Sequence, residues 1–351
     1  MQQERCSFCV NNKNTARSSG SPKPKKRLLR CKGQKSKKKR KYRIRNWHDY
    51  NTALVQRGSL TLWLNQDVLQ NWHNQERTGK RGKPRFYSEQ AILCALRLRE
   101  VYRLPLRATE GLLRSLVALL GADIAVPCYS TLCRRQAGLA VDLFKPTAEP
   151  LHLVIDGTGL KVFGDGEWKA RQHGISNQHG VSKRRTWRKV HLAVDQKTGQ
   201  VQAAATTTNS ISDGEMLPKL LEQVPQPVDQ VSADGGYDRR TCYEAIAARG
   251  AKAAIPPRRG AKIWQHGNSK QGRLARDENL RRIRQVGRAK WKRESSYHRR
   301  SLAETAVFRL KTIFGSVLRA RTNAAQDTET KLRLSALNQM TALGMPNAYL
   351  L

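Results

Sequence analysis

The residues in this chain whose types and spacing could do chemistry are concentrated between Tyr297 and Lys311. At about 100° per residue, a helix through this stretch brings Tyr297, Arg300, Glu304 and Lys311 within about 60° of one another. Leu302, Ala306, Leu310, Ile313 and Val317 fall on the opposite side. One face would pack into a core while the other presents a carboxylate flanked by two cations and a phenol. A carboxylate can ligate a hard cation, and Arg and Lys can hold phosphate oxygens on either side of it, so the pattern suits a metal-bound phosphate. An ordinary amphipathic helix with a solvated polar face has the same spacing.

Two more acids extend the pattern. Leu151, Leu153, Val154 and Ile155 read as a strand that ends at Asp156, before Gly157-Thr158-Gly159, and Val228 to Ala233 as another that delivers Asp234. Carboxylates at the ends of buried strands are costly unless solvated or paired with cations. Three that converge repel one another, and divalent cations are the natural remedy. Two such ions about 4 Å apart would activate a water or a 3′-hydroxyl on one side of a phosphodiester and stabilise the leaving oxygen on the other. No histidine is needed as a base.

The elements that must position these acids change character along the chain. Residues 1–46 carry 17 Lys and Arg against one acid, Glu4, with too little apolar content to fold, and read as a disordered basic arm able to bind phosphates. Residues 47–149 are predicted to be helical. After a short strand or turn over Leu60 to Leu64, Ser88 caps a helix and Leu112, Leu113, Leu116, Leu119 and Leu120 form the buried stripe of a second, which Gly121 stops. A third, Thr131 to Leu139, exposes Arg134 and Arg135. Helix, helix, turn, basic helix is the outline of a helix-turn-helix DNA reader, although any three-helix bundle gives it.

From residue 150 to 351 short apolar runs dominate. A second run, Leu160 to Phe163, follows Asp156, and Val190–Val194 and Val201–Ala205 form a hairpin around Lys197-Thr198-Gly199. Trp187 and Arg188 stand just before that hairpin, where they could meet DNA or pack. Asp213 caps a helix to Gln223 despite Pro218, and Arg240 to Arg249 and Ala251 to Ile255 add a helix and a strand. Residues 257–293 form a basic connector with 13 Lys and Arg in which Trp264 and Trp291 stand out, and an amphipathic stretch from Lys331 to Leu343 follows later. This order predicts a mixed α/β fold, with helices on a central sheet.

Lys and Arg total 66 against 27 Asp and Glu in 351 residues, a formal charge of +39, and 38% of residues are hydrophobic, enough for a sizeable core. The charge calls for a polyanionic partner. Nucleic acid fits better than a membrane, because no apolar run spans a bilayer and no apolar signal segment opens the sequence, so a cytoplasmic location is expected. The cysteines at 6, 9, 31, 94, 128, 133 and 242 are too scattered for a disulfide framework and read as reduced thiols. Cys6 and Cys9 form a Cys-x-x-Cys pair, but Cys31 and His48 stand at unusual separations for completing a zinc site.

Tyr297, Arg300, Glu304 and Lys311 reproduce the Tyr-x2-Arg-x3-Glu-x6-Lys signature of bacterial insertion-sequence DDE transposases, which this sequence resembles from about Tyr42 to beyond Lys311. Asp156-Gly157-Thr158-Gly159-Leu160-Lys161 is similar to the segment that holds the first Asp of that family. Ala233-Asp234-Gly235-Gly236-Tyr237-Asp238 is similar to the segment that holds the second, and the stretch from Arg184 to His191 also resembles theirs. The resemblance implies a ribonuclease H-like catalytic core in which Asp156, Asp234 and Glu304 bind two Mg²⁺ ions, with Mn²⁺ as a substitute. It implies cleavage of the inverted-repeat ends of a mobile element and joining of the freed 3′-hydroxyls to target DNA, by a homodimer or larger synaptic complex. Tyr297, Arg300 and Lys311 would then contact DNA phosphates. A nuclease of similar core that cuts without joining, or an inactive basic DNA-binding protein, are the alternatives.

Overall fold

A computed structural model describes residues 42–74, 85–164, 172, 175–177, 180–182, 187–265 and 273–350. The basic arm before residue 42, with Cys6, Cys9 and Cys31, lies outside these, as do His173, His179 and Arg184 to Thr186. The chain divides into a small unit, Met1–Arg43 with Tyr349–Leu351, and a large one, Ile44–Ala348. The described ends of the small unit belong to β1 (Tyr42–Ile44) and the strand Ala348–Leu350, which pair with each other.

The large unit opens with helices α1 (Trp47–Gln56), α2 (Leu60–Trp63) and α3 (Gln66–Gln70). The run from Leu60 to Trp63, expected as a strand or turn, is therefore helical. Its Trp63 is buried and receives the Cys94 thiol on its carbonyl, so tertiary packing decides its form. α4 (Glu89–Val101) starts as its sequence demands: the Ser88 hydroxyl accepts a hydrogen bond from the Ala91 N–H at 3.1 Å. α5 (Leu106–Leu119) begins after Pro105 and ends before Gly121, whose φ of +59° suits glycine. Its buried stripe is Thr109, Leu113 and Leu116; Leu119 and Leu120, expected inside, are exposed in the last turn and at the cap. α6 (Tyr129–Gln136) begins two residues earlier than expected.

The central sheet has the order β6-β5-β2-β7-β8, with β2 (Leu151–Val162), β5 (Trp187–Asp195), β6 (Val201–Thr208), β7 (Val228–Ser232) and β8 (Lys252–Ala254). A separate hairpin joins β3 (Ile175–Asn177) to β4 (Gly180–Ser182). β5 and β6 form the expected hairpin, whose turn is held by the Asp195 carboxylate accepting from the Thr198 N–H and hydroxyl. β2 does not end at Asp156. It runs on through Gly157 and Gly159, because β5 stays in antiparallel register with it from Leu153 to Lys161. Its other edge is shared: β7 pairs in parallel with residues 151–154 and β9 (Val317–Leu318) with 161 and 162.

The two faces of β2 feed two cores, as a period of two requires. Val154 and Leu160 pack with Val190, Leu192, Leu310, Phe314 and Leu332, and this cluster continues into Ile92, Leu96, Leu113 and Leu132 of the N-terminal helices. Leu151, Leu153 and Ile155 pack with α7 (Asp213–Glu222) and α8 (Arg240–Ala248). Asp213 is the first residue of α7 rather than its cap, which falls at Ser212. Pro218 sits inside this helix without breaking it. A proline there cannot donate to the Gly214 carbonyl four residues back, and the buried Cys242 thiol donates to that carbonyl instead, at 3.2 Å.

Two further expectations change. Residues 257–293 are not a bare connector: within them lie α9 (Ala275–Val286) and most of α10 (Arg288–Glu294). Arg276, 3% exposed, lies 3.8 Å above the Trp264 ring and pairs with Asp238 at 2.8 Å and with Asp277. Trp291 is buried and donates to Asn279. Following α11 (Ser301–Phe314), α12 (Asn323–Leu343) is longer than the expected amphipathic stretch and buried along most of its length. It carries Arg333, 1% exposed, into a cluster with Glu329 and Glu100 that Arg99 and Arg319 complete. Asn338 on the same helix bonds both polar groups of the Val201 backbone at the edge of the sheet. Among the described residues no helix is long and apolar enough to cross a membrane.

Candidate active site

Asp156 stands midway along β2, opposite Leu192 of β5. Val154 is in register with Ser232, the last residue of β7, and Asp234 follows two residues later, beyond the strand's end. Among the described residues no strand covers residues 155–160 of β2 on the β7 side, where β7 has ended and β9 has not begun. The turn Tyr297–Arg300 and α11 both pack on β2, with Arg300 reaching Asp156.

Each acid is fixed by a local rule. The Asp156 carboxylate accepts from the N–H of Gly157 at 3.0 Å. Asp234 caps the turn Gly235–Tyr237, accepting from the Gly236 N–H at 2.8 Å, and a Cβ on Gly236 would come within 2.9 Å of that oxygen, so glycine is required there. Glu304 lies in the first turn of α11, exposed, on the face away from the buried Ala303, Ala306, Leu310 and Phe314. The expected helix from Tyr297 begins as a single 3-10 turn, after Ser296 in the left-handed region at φ +55°.

Arg300 ties the acids together. Its guanidinium stands 3.5 Å from Asp156 and donates to Glu304 one helical turn on. Burial pushes the Asp156 carboxyl above the ordinary carboxylate range; Arg300 offsets this, while Asp234 and Glu304 add to it. The phenol of Tyr297 is likewise raised by burial, with Arg300 opposing and all three acids contributing. The five groups therefore share one electrostatic neighbourhood. Lys311 lies on the Glu304 face of α11, two turns or about 10 Å further along. Tyr297 faces Trp291 at 6.0 Å between ring centroids, with the Lys292 ammonium 4.9 Å from its ring.

The remaining sequence candidates stand apart from this group. Arg134 is exposed on α6, whereas Arg135 spends its guanidinium on the carbonyl of Tyr87. Arg188 points to the α12 side of the sheet, bonded to Gln326 at 2.6 Å and to Asn323. Its neighbour Trp187 is on the other face, against Gly159.

As the side chains stand, no group of three His, Cys, Asp or Glu among the described residues is spaced to hold a metal. The donor types still fit a hard cation: Asp156 and Glu304 share one guanidinium, Asp156 is destabilised as an anion by burial, and Asp234 adds to that electrostatically. Three nearby groups were not singled out as site residues from sequence. Tyr237 is buried, its hydroxyl has no hydrogen-bond partner among the described residues, and burial together with Asp213, Asp156 and Asp234 keeps it protonated. His191 is fully buried, and Asp213 lies beside it. The signal for His191 was one polar residue in the apolar run from Val190 to Val194; Asp213 carried none beyond its place at a helix start.

A family model described as a transposase DDE domain matches residues 147–339, more than half of the chain. Another with the same description matches residues 55–165. Among solved structures, the piggyBac transposase in a cryo-EM synaptic complex with hairpin DNA is similar at 12% identity and a TM-score of 0.35, over 85% of this chain and 76% of that one.

Proposed function

The chain belongs to the DDE transposase family, and from that premise we propose that it cleaves the inverted-repeat ends of an insertion sequence and joins the freed 3′-hydroxyls to target DNA. The observation that carries this reading is the single electrostatic neighbourhood of Asp156, Asp234 and Glu304 around Arg300. In it the three acids are the catalytic set and would hold two Mg²⁺ ions, with Mn²⁺ as a substitute. Bound there, the ions would activate the attacking water or 3′-hydroxyl and stabilise the leaving oxygen.

This chain's own residues do the rest. Arg300 swings from the carboxylates to the phosphate that enters, so its charge is used in both states. Lys311 holds the phosphate backbone further along α11, and Tyr297 limits water at the side of the site. Arg134 lies on DNA outside the centre, and Trp187 meets it from the far face of the sheet. The sheet with its first acid mid-strand, its second after the neighbouring parallel strand and its third on a late helix supports a ribonuclease H-like core in residues 150–351. Helices α4 to α6 within 47–149 support a helix-turn-helix role. A homodimer or larger synaptic complex would align two element ends, and the net charge of +39 suits a cytoplasmic, DNA-associated protein.

The test is strand cleavage and joining with element-end DNA in Mg²⁺. Asp156→Asn, Asp234→Asn and Glu304→Gln should each abolish cleavage while leaving DNA binding largely intact. Cleavage retained in any of them would remove that acid from the catalytic set. Cleavage by the unaltered protein with no joined product would favour a nuclease.

A further inference from the structure

On the opposite face of β2 from Asp156 lies a cavity of about 230 Å³ that the reaction above does not use. Gly157 and Gly159 form its floor, Trp187 one wall, and Lys189, Asn209 and Asp213 supply its polar groups. The glycines are what leave it open: a Cβ on Gly157 would come within 3.2 Å of Asp213 Oδ1, and one on Gly159 within 3.2 Å of the Trp187 ring. Beneath it sits His191, with no exposed surface. Its Nε2 is bonded to Thr207 at 2.9 Å, while its Nδ1 has no hydrogen-bond partner among the described residues and lies 3.6 Å from Asp213 Oδ1. Lys189 is fixed by the carbonyl of Ile211 at 3.0 Å, which leaves its ammonium 3.5 Å from the same carboxylate oxygen.

We propose that this cavity binds a single unpaired guanine of a DNA strand, stacked on Trp187 and read along its Watson–Crick edge by Asp213 and Lys189. The volume is below the 300–1,000 Å³ or so of drug-sized sites, which suits one planar ring system. Trp187 offers a face on which any base can stack. The polar pattern selects among bases. A carboxylate accepts two parallel hydrogen bonds only from a base that presents adjacent donors, and guanine does so with N1–H and N2–H. Next to these it carries the O6 acceptor, which matches an ammonium placed beside the carboxylate. Adenine, cytosine and thymine each offer one donor group on that edge. Bases taken out of a stack are held in this manner, by an aromatic face and contacts to the pairing edge. The inference rests on the DNA-handling reading only for the source of the base.

The test is equilibrium binding of the full chain to short labelled thymine oligonucleotides holding one central guanine, one inosine or neither, measured by fluorescence anisotropy without divalent cations. All three carry the same charge, so phosphate attraction cancels. The guanine strand should bind at least about tenfold more tightly than the inosine strand, which lacks the N2 amine, and Asp213→Asn should erase that preference. Trp187→Ala should reduce binding of the guanine strand to the level of plain thymine, with Trp187→Phe intermediate. Equal affinity for guanine and inosine in the unaltered protein would overturn the proposal, as would a preference that survives Asp213→Asn. Competition by free dGMP as effective as by the guanine strand would overturn the assignment to DNA. No strand cleavage is involved, so failure here leaves the acid triad standing, and failure of the triad leaves this measurement interpretable.

Discussion

Replacing Arg300 by Gln separates its two roles in opposite directions. In the free protein its guanidinium lies 3.5 Å from Asp156 and contacts Glu304, with about a fifth of Arg300 and Asp156 exposed. At an effective dielectric of about 20 a pair at this distance is worth about 5 kcal/mol before desolvation and solvent are counted. Partial exposure reduces the net effect of each pair to about 1 kcal/mol or less. The same charge repels any divalent cation drawn to the carboxylates, so its removal should tighten Mn²⁺ binding to DNA-free protein about tenfold, or about 1.4 kcal/mol. Titration calorimetry reads this directly, with circular dichroism confirming the fold. In the presence of DNA the sign reverses: the variant loses a phosphate contact, so its salt dependence of end binding should fall by about one unit of slope and cleavage should drop. A folded Arg300→Gln protein that binds Mn²⁺ no better, or more weakly, would refute the idea that this guanidinium stands where a cation belongs.

Glu100→Gln should cost about 3–5 kcal/mol in urea unfolding, because Arg99, Arg319 and Arg333 lose the carboxylate they share in a buried setting; a loss under about 1 kcal/mol would show the cluster to be solvated. Asp156→Asn should stabilise the metal-free protein at neutral pH. Its carboxyl is raised in the folded state, so its contribution favours folding below the unfolded value and is lost as pH rises through the folded one. The gain in melting temperature should therefore shrink on acidification, and a gain independent of pH would contradict this origin. Cys242→Ala should destabilise by about 1 kcal/mol, because the Gly214 carbonyl beside Pro218 loses its donor; pairing it with Pro218→Ala should recover most of that in the same unfolding measurement.

Much of this architecture was legible where one short-range rule decides the outcome. Ser88 capping α4, the turn at Asp195 to Gly199, and the polar side of α11 with Arg300 and Glu304 all follow from residue type and spacing. What escaped depends on partners far away in the chain. Arg276 and Arg333 are buried only because Asp238, Glu100 and Glu329 are brought to them, which is why α9 was expected as part of a basic connector and α12 only as an amphipathic stretch. Gly157 and Gly159 suggested a strand end, and only the long register with β5 carries β2 through them. The likeness of the acid-bearing segments to a known family pointed to the candidate site; the guanidinium between two of its acids came only from the folded chain.

The long register of β2 also sets how the acids can move. Asp156 is mounted on a strand hydrogen-bonded to its neighbours, in the part of a protein whose amides exchange with solvent last. Glu304 rides on a helical turn entered through left-handed Ser296 and held to Asp156 by a single arginine. Deuterium should reach the backbone between Ser296 and Glu304 long before it reaches β2. Any rearrangement between a resting enzyme and one gripping its substrate is then a motion of one acid towards a stationary anvil.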